Sequence, residues 1–204
     1  MLDAALIQQC ADPSLKPAIV EQFVDVAGAP DPLTVTVKSG SRVFLVPMPK
    51  TAEEALVIIR ENVGRAVVRV GLTQFPAGVG VKDASELTVA LLDPCENLRM
   101  GTRMFAKVVR IVAKWYGNPK SDEVFPQIFE DAVHAWKTGE FEGVGVFQAQ
   151  DPGGQIANQG VPAKGDAIEG VDVETPSPAA TEPSEHKTLG AAGIRIDLSR
   201  IGGK

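Results

Sequence analysis

A chain of 204 residues with 44% hydrophobic and 23% charged side chains has material for one core plus an extra segment, a globular profile rather than a membrane-embedded or wholly disordered one. Its 20 Lys and Arg against 26 Asp and Glu give a net charge of -6, which leaves no basic surface for charge-driven binding of a nucleic-acid backbone. No apolar run reaches the roughly 18–20 residues that cross a bilayer, so no transmembrane segment is expected, and MLDAALIQQCADPS has neither the basic nor the apolar region of an export signal.

From the N-terminus, LDAALIQQC predicts a short helix and LKPAIVEQFVDVAG a second, with Ile19, Phe23 and Val26 at helical spacing and Gly28 just past the end. LTVTVKSGSRVFLVPMP alternates on both sides of Lys-Ser-Gly-Ser and predicts a β-hairpin. TAEEALVIIRENV opens with Thr51 and carries Glu54 three residues on, the pattern of a capping box. After a turn-rich stretch, LLDPCENL repeats the device: Asp93 as N-cap, Pro94 at the first helical position, Glu96 three residues beyond the cap. That helix runs through Phe105, Val108, Val112 and Trp115 to Gly117, and DEVFPQIFEDAVHAWKTG predicts a last long one. The expected class for residues 1–150 is α+β, mainly helical, with a small β-hairpin and no internal repeat.

Composition changes near residue 150. From Asp151 to Lys204 there is no aromatic residue, and Gly, Pro, Ser and Thr dominate. A segment so poor in apolar surface does not offset its ordering entropy, so residues 151–204 are expected to form a disordered tail. Within it, Ile194, Ile196 and Leu198 alternate with Arg195 and Asp197, which reads either as a short docking strand over 193–199 or as a tail end with scattered aliphatics.

The common chemical constellations are absent. His134 and His186 are isolated and the two cysteines are distant, so no metal site is expected, and no cofactor motif stands in the chain. FPAGVGVKDAS has neither the Walker lysine-serine pair nor a dinucleotide fingerprint and reads as a tight turn. No Ser-His-Asp or Cys-His arrangement can be picked out.

A set of segments in fixed order goes further: IQQCADPS, VAGAPDP, the hairpin LTVTVKSGSRVFLV, the helix TAEEALVIIREN, VGLTQF, DPCENLRMG and WKTG. In this order they resemble the VirB-type lytic transglycosylases of type IV secretion systems, lysozyme-like enzymes that cleave peptidoglycan, over about residues 5 to 146. The resemblance implies a lysozyme-like transglycosylase fold. It also implies a disulfide between Cys10 and Cys95, with two buried reduced thiols as the alternative.

That family cuts glycan with a glutamate at the end of its second helix, inside a Glu-Ser-Gly motif that falls here on Val26, Ala27 and Gly28. Valine donates no proton, so a pseudoenzyme is expected; Asp31 in the following turn is the candidate for a displaced acid, while Asp25 is about 100° away around the helix. Gln74 retains the glutamine of the family's GLMQIN segment, and Pro76 replaces its last asparagine. Trp136, Lys137 and Thr138 stand where the family has Tyr-Asn-Thr. The resemblance makes Gln74, Trp136 and Thr138 the substrate-binding candidates, with Trp136 either stacking on a sugar or serving as a core aromatic.

The opening MLDAALIQQCADPSLKPAIVEQF and the overall length also resemble the TraH conjugal-transfer proteins of rhizobial-type plasmids. That implies an accessory role in conjugation, with peptidoglycan or a component of the transfer machinery as partner, or a scaffold acting through its tail. Peptidoglycan work and a disulfide both belong in the periplasm, whereas the chain as written carries no export signal, so the expected compartment stays divided.

Overall fold

The structure, a computed structural model, describes residues 2–156. The segment expected to hold a docking strand at 193–199, and most of the expected tail, lie outside the described residues.

The caps predicted at Thr51 and Asp93 and the stop at Gly28 act where the sequence put them, and the structure adds one at Asp3. Helix α1 (Ala4–Cys10) begins at Asp3, whose carboxylate accepts from the Ala5 amide at 2.9 Å. Helix α2 (Pro17–Ala27) has proline at its first position and stops at Gly28. A Cβ on Gly28 would lie 2.2 Å from the Leu72 carbonyl oxygen, so the approach that ends the helix admits no side chain. Helix α3 (Ala52–Asn62) is capped by the Thr51 hydroxyl at 3.2 Å, and Glu54 reaches back to the Lys50 amide at 2.7 Å. Helix α4 (Pro94–Trp115) is capped by Asp93, which accepts from the Glu96 amide at 2.9 Å.

The last helix, α5, spans Phe125–Thr138 and closes on Gly139 in the left-handed region at φ 86°. Its predicted start at Asp122 is moved by Pro126. Proline lacks an N–H and fits only the first helical turn, so residues 122–124 form a separate 3₁₀ turn.

A second difference lies between α3 and α4. Strands β1 (Val35–Ser39) and β2 (Arg42–Phe44) make the predicted hairpin, but the turn-rich stretch also supplies β3 (Val67–Val70) and β4 (Phe75–Pro76). The four form an antiparallel sheet in the order β2-β1-β3-β4, with Val37 opposite Phe44 and Val68. β3 and β4 are too short for a period-2 pattern to stand out. A further two-stranded hairpin, β5 (Glu140–Phe141) with β6 (Val144–Gly145), turns through Glu142 and Gly143, both at positive φ.

The core gathers where α2, α4 and α5 meet. Phe23 and Phe105 stack with centroids 3.9 Å apart, and Trp136 stands edge-on to both at 5.2 and 6.0 Å. Cys10 and Cys95 are joined by a disulfide, Cα atoms 5.1 Å apart, so α1 is stapled to the first turn of α4. The chain then crosses α4 as a strap. Lys107 Nζ donates to the carbonyls of Phe147 and Ala149 at 2.8 and 2.9 Å, and Arg110 holds Asp151 through two hydrogen bonds. Arg110 also holds the Asp151 carboxyl below its ordinary range. Ile156 is partly buried against the core, so packing runs past the residue-150 boundary that composition suggested.

Candidate functional site

The end of α2, the sheet and the C-terminal end of α5 are joined through one turn, residues 71–76. The Ala29 amide donates to the Leu72 carbonyl and the Gly71 amide to the Thr34 carbonyl, each at 2.9 Å, which docks the loop after α2 on the exit from β3. Gln74 sits at φ 52°, uncommon for a side chain that is not Gly, Asn or Asp. Its Oε1 accepts from the Thr36 hydroxyl at 2.8 Å and its Nε2 donates to the Gly71 carbonyl at 3.1 Å. The amide that the resemblance assigned to substrate is thus holding β1 and its own turn.

Behind the turn lies a buried polar side chain with every group paired. Asn97, one turn into α4, accepts at Oδ1 from the Thr73 amide and hydroxyl, both at 2.9 Å. Its Nδ2 donates to the Val70 and Leu91 carbonyls at 3.0 and 2.8 Å. A Cβ on Gly71 would come within 2.3 Å of Asn97, and one on Gly101 within 2.2 Å of Thr73. The DPCEN motif therefore has a full structural account: Asp93 caps, Pro94 starts the helix, Cys95 forms the staple and Asn97 fixes the 70–73 segment.

Arg69 completes the cluster. It is buried, makes no ion pair among the described residues, and donates to the carbonyls of Gln74 and Lys137, both at 3.3 Å. Its guanidinium stands 5.8 Å from the Trp136 centroid and 5.3 Å from that of Phe147. Burial lowers its pKa to about 10, so the group is charged at neutral pH and its desolvation opposes folding. A base whose folded pKa lies below its unfolded value relieves that penalty only as pH rises through about 10, so no change from this source is expected between pH 5 and 8. Arg69→Met keeps the stem packing and sheds the desolvation, and is expected to stay within about 1 kcal/mol of the natural chain in urea unfolding. Arg69→Ala also loses the packing, and is expected to lower stability by about 2–4 kcal/mol. Equal losses from both would show that the charge itself is required.

The predicted site residues are thereby distributed. Gln74 and Trp136 are brought together: Arg69 donates to the carbonyls of Gln74 and of Lys137, the neighbour of Trp136, and Trp136 Nε1 donates to the Thr73 carbonyl at 3.1 Å. Trp136 is 0% exposed, which matches the second of its two readings, a core aromatic. Thr138 turns its hydroxyl onto the His134 and Glu140 carbonyls at 2.9 and 3.0 Å, closing the end of α5. Val26 is 49% exposed on the last turn of α2. Asp31 is exposed, and its carboxylate accepts from the Leu33 amide at 2.8 Å. The carboxylate that borders the shallow depression beside Gly28 and Leu72, about 180 Å³, is Asp25. Both acids stand in water rather than in the enclosed apolar pocket that glycosidase general acids use.

The exposed tryptophan is Trp115, at 59%. With Tyr116 and Phe141 it walls an open groove of about 520 Å³ that also takes in Asp131, His134, Thr138, Glu140 and Glu142. Trp115 meets Tyr116 and Phe141 edge-on at 5.0 and 5.7 Å, and the Tyr116 hydroxyl donates to Asp131 at 2.7 Å. Sequence reasoning placed Trp115 on the core stripe of α4. It is the last residue of that helix, and its position close to Gly117 was the available signal.

Comparison with known proteins yields a relative and a family. The chain is 64% identical over 203 residues to the uncharacterized protein y4dP of Sinorhizobium fredii (strain NGR234), and the match covers 100% of each chain. No solved structure matches. A family model described as TraH_2 matches residues 1–203, essentially the full length, and the chain belongs to the TraH_2 family.

Proposed function

We propose that this protein is an accessory component of plasmid conjugative transfer, built on a degenerate lysozyme-like transglycosylase module that binds peptidoglycan without cutting it. Membership of the TraH_2 family across the whole chain is the observation that carries the conjugative role. The lysozyme-like reading is supported by a helix end docked on a small antiparallel sheet at the Gly28–Leu72 junction, and by the place of DPCEN against that sheet. Loss of cutting is supported by Val26 at the position of the acid and by the exposure of Asp25 and Asp31. Retention of glycan is supported by the Trp115 groove, where an aromatic face lies among carboxylates able to accept sugar hydroxyls. A disulfide endures in an oxidising compartment, which favours the periplasm, and no helix among the described residues is long and apolar enough to cross a membrane.

The test is co-sedimentation with purified sacculi, followed by mass spectrometry of released muropeptides. The natural chain is expected to sediment and to release no anhydro-sugar product. Trp115→Ala is expected to lose roughly 1–2 kcal/mol of binding, about a five- to thirtyfold weakening. Val26→Glu asks whether the old acid position still faces a glycan, and anhydro products from that variant alone would support the degenerate-enzyme reading. Anhydro products from the natural chain would overturn it and make Asp25 and Asp31 the next positions to change. No retention on sacculi would leave a protein-binding scaffold as the better account.

A further inference from the structure

The hairpin β1–β2 projects an edge that nothing among the described residues covers. β2 is the outer strand of the four-stranded sheet and pairs with β1 alone, so the backbone N–H and C=O groups of Arg42–Phe44 that point away from β1 have no strand partner. Its side chains are equally open. Val43, Phe44 and Leu45 are exposed on both faces of the strand, and Met48 just beyond is 86% exposed.

Natural sheets usually blunt such an edge by keeping apolar side chains off it. Here Pro47 limits the pairing segment at one end and Arg42 marks the other, yet the stretch between them is apolar throughout. Contiguous exposed apolar surface of this kind marks a binding surface.

Charge selects the occupant. Between Leu33 and Lys50 the chain carries Lys38, Arg42 and Lys50 and no acidic residue, although the whole protein is at -6. Self-pairing of two β2 edges would bring these like charges together, which disfavours a second copy. A membrane-inserting hairpin would carry its apolar residues at the tip, whereas the tip here is Ser39-Gly40-Ser41.

We infer that β2 is a strand-addition site for a partner protein that donates an extended segment alternating apolar residues with carboxylates. Backbone pairing along β2 and its continuation holds the segment, apolar contacts with Val43, Phe44 and Leu45 cover it, and the positive field of Lys38 and Arg42, one on each face of the hairpin, favours an acidic sequence. This surface is separate from the Trp115 groove and does not depend on glycan binding.

The test uses the full chain, isotope-labelled, titrated with the capped peptide Thr-Val-Glu-Val-Glu-Val-Thr and with its lysine counterpart. The acidic peptide is expected to shift the amides of residues 42–46 and to bind about tenfold or more tightly than the basic one. The surface substitutions Lys38→Glu with Arg42→Glu are expected to reverse that preference without unfolding the domain, and Leu45→Ser to weaken both. Equal binding of the two peptides, or amide shifts centred elsewhere, would overturn the inference. So would a dimer by light scattering that Leu45→Ser dissolves, or sedimentation with phosphatidylglycerol vesicles that depends on Leu45.

Discussion

Replacing Cys10 and Cys95 together by alanine is expected to lower the stability of the protein by about 4–5 kcal/mol and its thermal midpoint by about 10–15 °C. The bond closes a loop across 85 positions, and the entropy it removes from the unfolded chain grows with the logarithm of that length. Little in the folded state offsets the loss. Helix α1 is only seven residues long, far below what stands alone in water, and buries chiefly Ile7 and Cys10. Besides the packing of Ile7, the turn that follows α1 is tied to α4 by the Asp12 amide, which donates to the Thr102 hydroxyl at 2.8 Å. The measurement is urea unfolding of the natural chain with and without reductant beside the double variant. The reduced protein and the variant are expected to unfold at the same lowered midpoint. A loss below about 1 kcal/mol would mean that α1 is held by its packing and that the bond is incidental. A protein that depends on this bond to that extent is matched to an oxidising compartment, which ties the stability measurement to the question of where it works.

How far the sequence led can be judged residue by residue. Caps were legible because a cap is a local device: Asp93, Thr51 and Gly28 act through partners within a few positions. Strands β3 and β4 were not, since four and two residues display no period; β3 is placed by β1, some thirty residues earlier, and β4 only by β3. The two tryptophans show the same limit. Trp115 and Trp136 both fall on helical apolar stripes, yet burial depends on what packs against each, Phe23 and Phe105 for Trp136, and the resemblance pointed to the buried one. Arg69 left a faint signal, a single charge in the run VVRV, which marks either a strand facing water or a cation held by carbonyls. Asn97 was visible as the last letter of DPCEN, but its role depends on a turn more than twenty residues away.

Asn97→Ala is expected to cost about 3–5 kcal/mol, because it strands several buried groups at once. The Thr73 amide loses its acceptor, the Thr73 hydroxyl keeps only the Asn97 carbonyl at 3.4 Å, and the Val70 and Leu91 carbonyls lose a donor, in a place where neither water nor side chain replaces it without rearrangement. An apolar repair does not restore the balance. Asn97→Leu combined with Thr73→Val removes two polar side chains together, often a mild change, but three of the four bonded groups belong to the backbone and remain. The double variant is therefore expected to stay at least about 2 kcal/mol below the natural chain. Hydrogen exchange gives the same argument a location. Protection should fall first at Ala29, Gly71 and Thr73, whose amides bond across the 71–76 turn, while the Phe23–Phe105–Trp136 cluster keeps its own until global unfolding. Uniform loss of protection would place Asn97 in the global folding unit and not in the turn. Loss confined to the turn would show that the junction between α2 and the sheet, where Val26 and Asp25 lie, is held in shape by one side chain on α4.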